Sequence, residues 1–365
     1  MCIEAVMKTR KFLNSSKSNI IVPLLLGLCN KSISGTKMKT NAVNKENQHS
    51  SASIKRSNLE FNSTYSENKT ILHIYCPENC IENISYVLSR HDIECDINNY
   101  SIRDFKGHTL CHFKSSELSK EHRTFLIGAT ELGAWVEPLV SYFDKKLGYT
   151  ETELLHSGYF LHQKAFSILS NKRHKNEKRA IDLLFVFAIG LIAIPVGMIT
   201  AALIKLESPG PIFFKQKRTG QYNQEFNVIK FRSMRNDAEK NGAQWATKND
   251  DRVTKIGNFI RKTRIDELPQ LINVYRGEMS MVGPRPEREI FIENLEKEIP
   301  YYRFRHAVRP GVTGLAQVKY PYGSSVEDAT WKHKYDIYYI KHQNWRMELK
   351  ILCLTVKTVI LGMGR

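Results

Sequence analysis

From Ile181 to Leu206 the chain runs through about 26 mostly apolar residues, enough to cross the hydrocarbon layer of a bilayer as a helix. It is the only long apolar segment, with Asp182 near its start and Lys205 near its end. Two features restrict how it can lie. Pro195 stands at its centre, where it removes a backbone donor and kinks or breaks a helix. Both flanks are basic, with Lys172, Arg173, Lys175, Lys178 and Arg179 before and Lys215, Lys217 and Arg218 after, so the rule that keeps Lys and Arg cytoplasmic applies to both ends. A helix–break–helix that enters and leaves by one face satisfies both observations, and Arg179 and Asp182, three residues apart, could pair at the headgroup level. An ordinary span and the buried core helix of a soluble protein are the alternatives.

The segment divides the chain. Residues 1–70 are rich in Ser, Asn and Lys without a sustained period and read as largely disordered, the run Ile20–Cys29 being too short to span. Residues 71–160 read as a small α/β accessory domain: strand at Ile71–Cys76, helix at Cys80–Arg90, β-prone runs at Ile93–Ile97 and Thr109–Phe113, and an amphipathic helix at Trp135–Lys146. It has no Gly-rich phosphate loop, so no nucleotide is expected there. A basic linker, 161–179, leads into 180–365, with 180–206 the re-entrant helix, Ser208-Pro-Gly-Pro211 the helix stop, and a mixed α/β cytoplasmic domain beyond. The class is α/β throughout.

The net charge of +17 calls for an anionic partner: phosphates, acidic lipid or nucleic acid. No nucleic-acid motif is recognisable, and such a partner leaves the apolar segment unexplained. Seven cysteines in a long chain without an evident secretory signal point to free thiols in a reducing cytosol. Cys76, Cys80 and His112 have the wrong spacing for a common zinc site.

Four clusters carry the chemistry. They are Lys230-Phe-Arg232-Ser-Met234; Arg261-Lys-Thr-Arg-Ile-Asp266-Glu267-Leu-Pro-Gln270; Gly277 through Gly283-Pro-Arg285-Pro286; and His306-Ala-Val-Arg309-Pro-Gly-Val-Thr-Gly-Leu-Ala-Gln-Val318. Asp266 and Glu267 stand amid Arg261, Lys262 and Arg264 at a helix start, where cations and the helix dipole favour ionised carboxylates that can hold Mg²⁺ or attack phosphorus. The plainer alternative is that Asp266 caps the helix and pairs with Arg264. Arg285 between two prolines suits bidentate phosphate recognition, or is a surface arginine in a turn; Lys230, Arg232 and Arg309 are candidate phosphate contacts, or solvated cations.

From about Lys178 to Arg365 these clusters, in this order and with Pro195, Ser208-Pro-Gly-Pro211 and Tyr335-Asp-Ile-Tyr-Tyr-Ile340, resemble the bacterial sugar transferase family, the monotopic polyprenyl-phosphate phosphoglycosyl transferases. Glu131–Phe160 is similar to the segment before the catalytic domain in exopolysaccharide-initiating members. Ile194 and Leu315 depart from the family's frequent Ser and Trp.

The resemblance implies a re-entrant membrane helix broken at Pro195 and a catalytic domain on the cytoplasmic face of the cytoplasmic membrane. It implies transfer of a hexose 1-phosphate, glucose or galactose, from a UDP-sugar to polyprenyl phosphate with release of UMP, and it allows a homodimer. It makes Asp266 the nucleophile, Glu267 the Mg²⁺ ligand, Arg285 and Arg261 supporting catalytic residues, and Lys230, Arg232 and Arg309 substrate contacts. Direct transfer with both carboxylates on Mg²⁺, and a non-enzymatic basic scaffold on the bilayer, are the alternatives. Because 71–160 holds none of the four clusters, a chain starting near Asn171 is expected to retain activity.

Overall fold

Strand β1 (Ile71–Tyr75) buries both faces, Leu72 and Ile74 on one side and His73 and Tyr75 on the other, as a central parallel strand must. Helix α1 (Ile81–Arg90) follows, then β2 (Cys95–Ile97), β3 (His108–His112), α2 (Lys120–Glu131), β4 (Val136–Pro138) and α3 (Leu139–Leu147). The strands make one parallel sheet in the order β2-β1-β3-β4, with Ile74 opposite Ile97 and Cys111. α1 and α3 pack with Leu72 and Ile74, while Leu126 of α2 packs with Tyr75 and Leu110. The computed structural model describes residues 71–360 except 162, 237, 239–249, 321–322 and 324, without the side chains of 163–165 and 360. The expected disorder of 1–70 lies outside the described residues.

Two local expectations change. The helix expected over Trp135–Lys146 begins only at Leu139, because Val136–Pro138 joins the sheet edge beside β3 and Pro138 ends it. α2 was not anticipated; its start is marked by Ser119, whose hydroxyl accepts from the His122 amide.

Short helical turns at Ser157–Leu161 (α4) and Gln163–Ser170 lead into α5, one helix from Lys172 to Glu207. The basic stretch read as a linker is therefore its first turns, capped by Asn171 and braced by the Arg173–Glu177 pair at 2.7 Å. The helix continues through Pro195 over 36 residues, where a break was expected. Only 6% of its most apolar window is buried, which rules out the core helix of a soluble protein. Leu184, Phe187, Leu191, Ile192, Ile194 and Met198 are exposed, while Phe185, Val186 and Ile189 lean on the core and Thr200 and Ile204 are buried near its end.

Both ends of α5 are tied to the same body. Asp182, 1% exposed, accepts from the Ser280 hydroxyl (3.0 Å) and the Met281 amide (2.9 Å). Arg179 donates to the carbonyls of Val274 and Tyr275. The expected Arg179–Asp182 pair is thus replaced by two anchors to protein backbone.

Beyond α5 an antiparallel hairpin, β5 (Phe213–Thr219) and β6 (Glu225–Phe231), pairs Phe214 with Lys230. Then come α6 (Lys255–Lys262), α7 (Gln270–Arg276), β7 (Ser280–Val282), α8 (Glu289–Glu298), β8 (Gly311–Thr313), α9 (Leu315–Lys319), α10 (Val326–His342) and α11 (Trp345–Ile360). β7 and β8 are parallel. One apolar core runs from Leu72 and Phe143 through Phe166 to Val274, Ile337 and Ile351, so the accessory sheet and the helices that follow share an interior.

Candidate active site

The carboxylate pair sits on a reversal of the chain. α6 starts at the Thr254 cap, and a Cβ on Gly257 would lie 1.9 Å from the Ser233 carbonyl oxygen, so glycine lets α6 abut the strand end of Lys230–Met234. After α6, Arg264 adopts a left-handed backbone (φ 60°), a conformation that costs a non-glycine residue about 1 kcal/mol or more and turns the chain back. The 3₁₀ turn Ile265–Glu267 follows, then α7. Asn273 of α7 is fully buried and bridges to β6, accepting from the Ile229 amide (3.0 Å) and donating to the Asn227 carbonyl (2.8 Å). That bridge fixes Asp266 and Glu267 against Lys230.

The two carboxylates are buried alike and charged differently. Glu267 Oε1 accepts from Lys230 Nζ and from the Arg285 guanidinium, both at 2.9 Å, and Oε2 accepts from Arg264 at 3.2 Å. Burial works against its charge, but Lys230, Arg285 and Arg264 together hold its carboxyl well below the usual range. Asp266 goes the other way. Burial first, then the Glu267 charge, push it up to about 6 against the pull of Lys230, Arg264 and Arg261. Its Oδ1 is buried without a hydrogen-bond partner. The cations favour the ionised form as expected, but burial and the Glu267 charge outweigh their pull, so Asp266 titrates above its ordinary value. Asp266 does not cap a helix or take Arg264, which pairs with Glu267.

Arg285 is held by glycines. A Cβ on Gly283 would come within 2.4 Å of the Arg309 carbonyl, and one on Gly311 within 2.1 Å of the Gly283 nitrogen. The Gly283 amide donates to Thr313 and the Gly311 amide to Pro284. Gly283-Pro-Arg-Pro286 and Arg309-Pro-Gly311 are thus two backbones in direct contact, with Arg285 projecting at their rim.

The structure brings Asp266, Lys230, Arg261 and Arg285 to one cavity of about 480 Å³, which Arg218, Arg264 and Arg305 also line, while Glu267 sits behind its wall, bonded to Lys230, Arg264 and Arg285. Two sequence candidates have other work. Arg232, 6% exposed, donates to the carbonyls of Ile204, Ser208 and Pro209 and to the Ser208 and Asn236 side chains, so its guanidinium caps the end of α5, and the residue also lines the cavity. Arg309 is half-buried and is absent from the cavity lining; its carbonyl lies against Gly283.

Three residues were given no role of their own in the sequence, although Tyr339 lies in the Tyr335–Ile340 motif. Arg264 was seen only as a neighbouring charge. Arg305, 3% exposed, donates to the Arg285 carbonyl (3.1 Å) and pairs with Asp336 (2.8 Å), and Tyr339 donates to the Val282 carbonyl (3.0 Å). The partners of Arg305 and Tyr339 lie distant in sequence, so the motif that holds Tyr339 does not disclose what it bonds to.

Among the described residues no group of three or more His, Cys, Asp or Glu side chains is placed to hold a metal ion. Mg²⁺ needs less, since it keeps several waters and binds through one or two carboxylates plus substrate phosphates. The unpartnered oxygen of Asp266 and the second lone pair of Glu267 Oε2 meet that requirement. Glu267 Oε1, with two donors already, does not.

What this arrangement offers is a desolvated, unpaired carboxylate oxygen beside a cationic cradle, suited to polyanionic ligands. The family model described as bacterial sugar transferase matches residues 173–362. A protein of Aeromonas hydrophila named UDP-N-acetylgalactosamine-undecaprenyl-phosphate N-acetylgalactosaminephosphotransferase is 42% identical over 224 residues, 61% of this chain and 53% of its own length. The UDP-glucose:undecaprenyl-phosphate glucose-1-phosphate transferase of Xanthomonas campestris is 43% identical over 169 residues, 46% of this chain and 35% of its own. The exopolysaccharide production protein PSS of Rhizobium leguminosarum is 41% identical over 185 residues, 49% of this chain and 92% of its own. The chain therefore spans about half or less of the two larger relatives.

Proposed function

The chain belongs to the bacterial sugar transferase family, and on that premise we propose that it transfers a hexose 1-phosphate from a UDP-sugar to undecaprenyl phosphate, through a covalent sugar phosphate on Asp266. The observation that carries this reading is the contrast inside the dyad. Glu267 is locked by three cations, while Asp266 Oδ1 is buried, unpaired and raised in basicity.

An Asp266 oxygen attacks the β-phosphorus, the bond to the bridging oxygen breaks, and UMP leaves. An oxygen of the lipid phosphate then attacks the same phosphorus and frees the Asp266 carboxylate. Lys230, Arg285 and Arg261 face the equatorial oxygens, where charge spreads in the transition state. Mg²⁺, held by Asp266 Oδ1 or Glu267 Oε2 together with the diphosphate, would supply further positive charge at the leaving UMP. The sugar is a hexose or N-acetylhexosamine, the classes named in the relatives. The reading is tested by supplying detergent-purified protein with a panel of UDP-sugars and undecaprenyl phosphate. One sugar should give equal amounts of UMP and lipid-linked sugar diphosphate; turnover of none contradicts it.

Basicity fixes a pH dependence. With free Asp266 titrating at about 6, kcat/KM rises with pH through that value and is flat above it. Lys230→Met removes a cation that stabilises both carboxylates, so the acid limb moves to higher pH while the plateau falls. An unmoved limb would mean that Asp266 is not the titrating group.

α5 enters and leaves the membrane by the cytoplasmic face. The supporting observation is that Asp182 near one end and Ile204 at the other are both packed into the catalytic body, an attachment that favours one face over a crossing. Pro195 leaves one carbonyl of the helix without its usual amide donor at the deepest point. Single cysteines at Lys175 and Tyr222 should both be labelled by a membrane-impermeant maleimide only from the cytoplasmic side. Labelling from opposite sides would leave a spanning helix.

A further inference from the structure

The accessory sheet domain lies outside the matched family segment, residues 173–362. Beside the apolar interior that it shares with the transferase part lie buried charges. Asp144 and Glu151, both 0% exposed, face two lysines of α10. Lys341 pairs with Asp144, and Lys334 with Glu151 at 2.5 Å. Thr150 donates its hydroxyl to Asp144 (2.7 Å) and its amide to the Lys334 carbonyl (3.2 Å), while His342 reaches Asp144 and Arg90 and His91 reach Glu151. Lys334 and Lys341 are seven residues apart, two turns along one face of the helix.

α10 also carries Asp336 and Tyr339. Asp336 pairs with Arg305, which donates to the Arg285 carbonyl, and Tyr339 donates to the Val282 carbonyl at the start of the same loop. Arg285 in turn grips Glu267. The path from accessory domain to dyad is thus continuous: two buried ion pairs, one rigid helix, one buried Arg–Asp pair and the Arg285 loop.

We propose that Asp144 and Glu151 are positioning residues for the transferase, setting the height of α10 and through it the placement of Arg285 over Glu267. The inference rests on the function proposed above. It reverses the division of labour expected from sequence, since a chain starting near Asn171 would lack both carboxylates. Removing one partner of a buried pair leaves an uncompensated charge, whereas removing both and substituting apolar groups is close to neutral. That asymmetry gives the test.

In the full chain, Asp144→Asn and Glu151→Gln should each lower kcat for UMP release by about tenfold with little change in KM for the UDP-sugar, a coupling of the size such networks carry. Amide exchange of residues 280–286 should speed up in both. The paired variants Asp144→Asn/Lys341→Met and Glu151→Gln/Lys334→Met should recover kcat and protection to within about threefold of wild type. A single variant that does not fold, beside a paired variant that folds and turns over, supports the proposal equally. Wild-type kcat and exchange in the single variants, or a loss that the paired variants do not restore, overturns it. Should the wild-type chain release no UMP from any UDP-sugar, the proposed function fails, and exchange at 280–286 still decides the coupling.

Discussion

Asp266→Asn should yield a folded, more heat-stable and inactive protein, with UMP release down by on the order of 10⁴-fold, the scale seen when a nucleophile is removed. The amide keeps the shape of the carboxyl but cannot attack phosphorus. The stability gain follows from the raised pKa. A carboxyl titrating at about 6 when folded and near its ordinary value when unfolded contributes stability below that ordinary value, and the contribution is lost as pH rises through 6. At pH 8 the buried charge is therefore a burden, and asparagine removes it. Glu267→Gln should differ in kind. It removes the carboxylate that Lys230, Arg264 and Arg285 share and leaves Asp266 as the nearest negative charge, so activity and melting temperature both fall. Differential scanning fluorimetry at pH 8 beside UMP assays separates the two. An Asp266→Asn variant that keeps more than a tenth of wild-type turnover, or a Glu267→Gln variant that melts higher than wild type, contradicts the assignment of roles.

Gly311→Ala carries the second large effect, from a single methyl group far from any charge. The new Cβ would lie 2.1 Å from the Gly283 nitrogen and 2.3 Å from the Thr313 carbonyl oxygen, both backbone atoms that cannot swing aside. β8 must separate from the Gly283–Pro286 loop, breaking the Gly283–Thr313 and Gly311–Pro284 hydrogen bonds at 2.9 Å and displacing Arg285. The expected loss is about 3 kcal/mol, at the upper end for overpacking, with turnover reduced at least a hundredfold. Gly190→Ala is the control, because nothing lies within 4 Å of its Cβ position. Equal melting temperatures for Gly311→Ala and wild type would mean that the two loops are not the braced pair described above.

Sequence reading singled out residues that the fold brings together, the dyad, Lys230, Arg261 and Arg285, because motif order carries them, and the strand and helix of Ile71–Arg90 because their period is plain. For Arg232 and Arg309 it could not name the contacts they make in the fold, because a basic residue in a motif reads the same whether its guanidinium meets a ligand, a helix end or nothing. Arg232 caps α5, and Arg309 contributes a backbone carbonyl. Asp182 looked like a headgroup-level charge because Arg179 is three residues away, yet its partners lie at Ser280 and Met281, nearly a hundred residues on. The rise of the Asp266 pKa was likewise out of reach, since burial decides it and neighbours in sequence suggest the opposite sign.

The central claim is the covalent sugar phosphate on Asp266, and one measurement addresses it most directly. Protein is mixed with the UDP-sugar it turns over and Mg²⁺, without lipid acceptor, quenched within milliseconds and digested at low temperature for mass spectrometry. The account predicts that the peptide carrying Asp266 gains the mass of the sugar phosphate while an equal amount of UMP appears, and that Asp266→Asn gives neither. UMP that appears only when undecaprenyl phosphate is present, with no adduct at any quench time, would contradict it and leave direct transfer in its place.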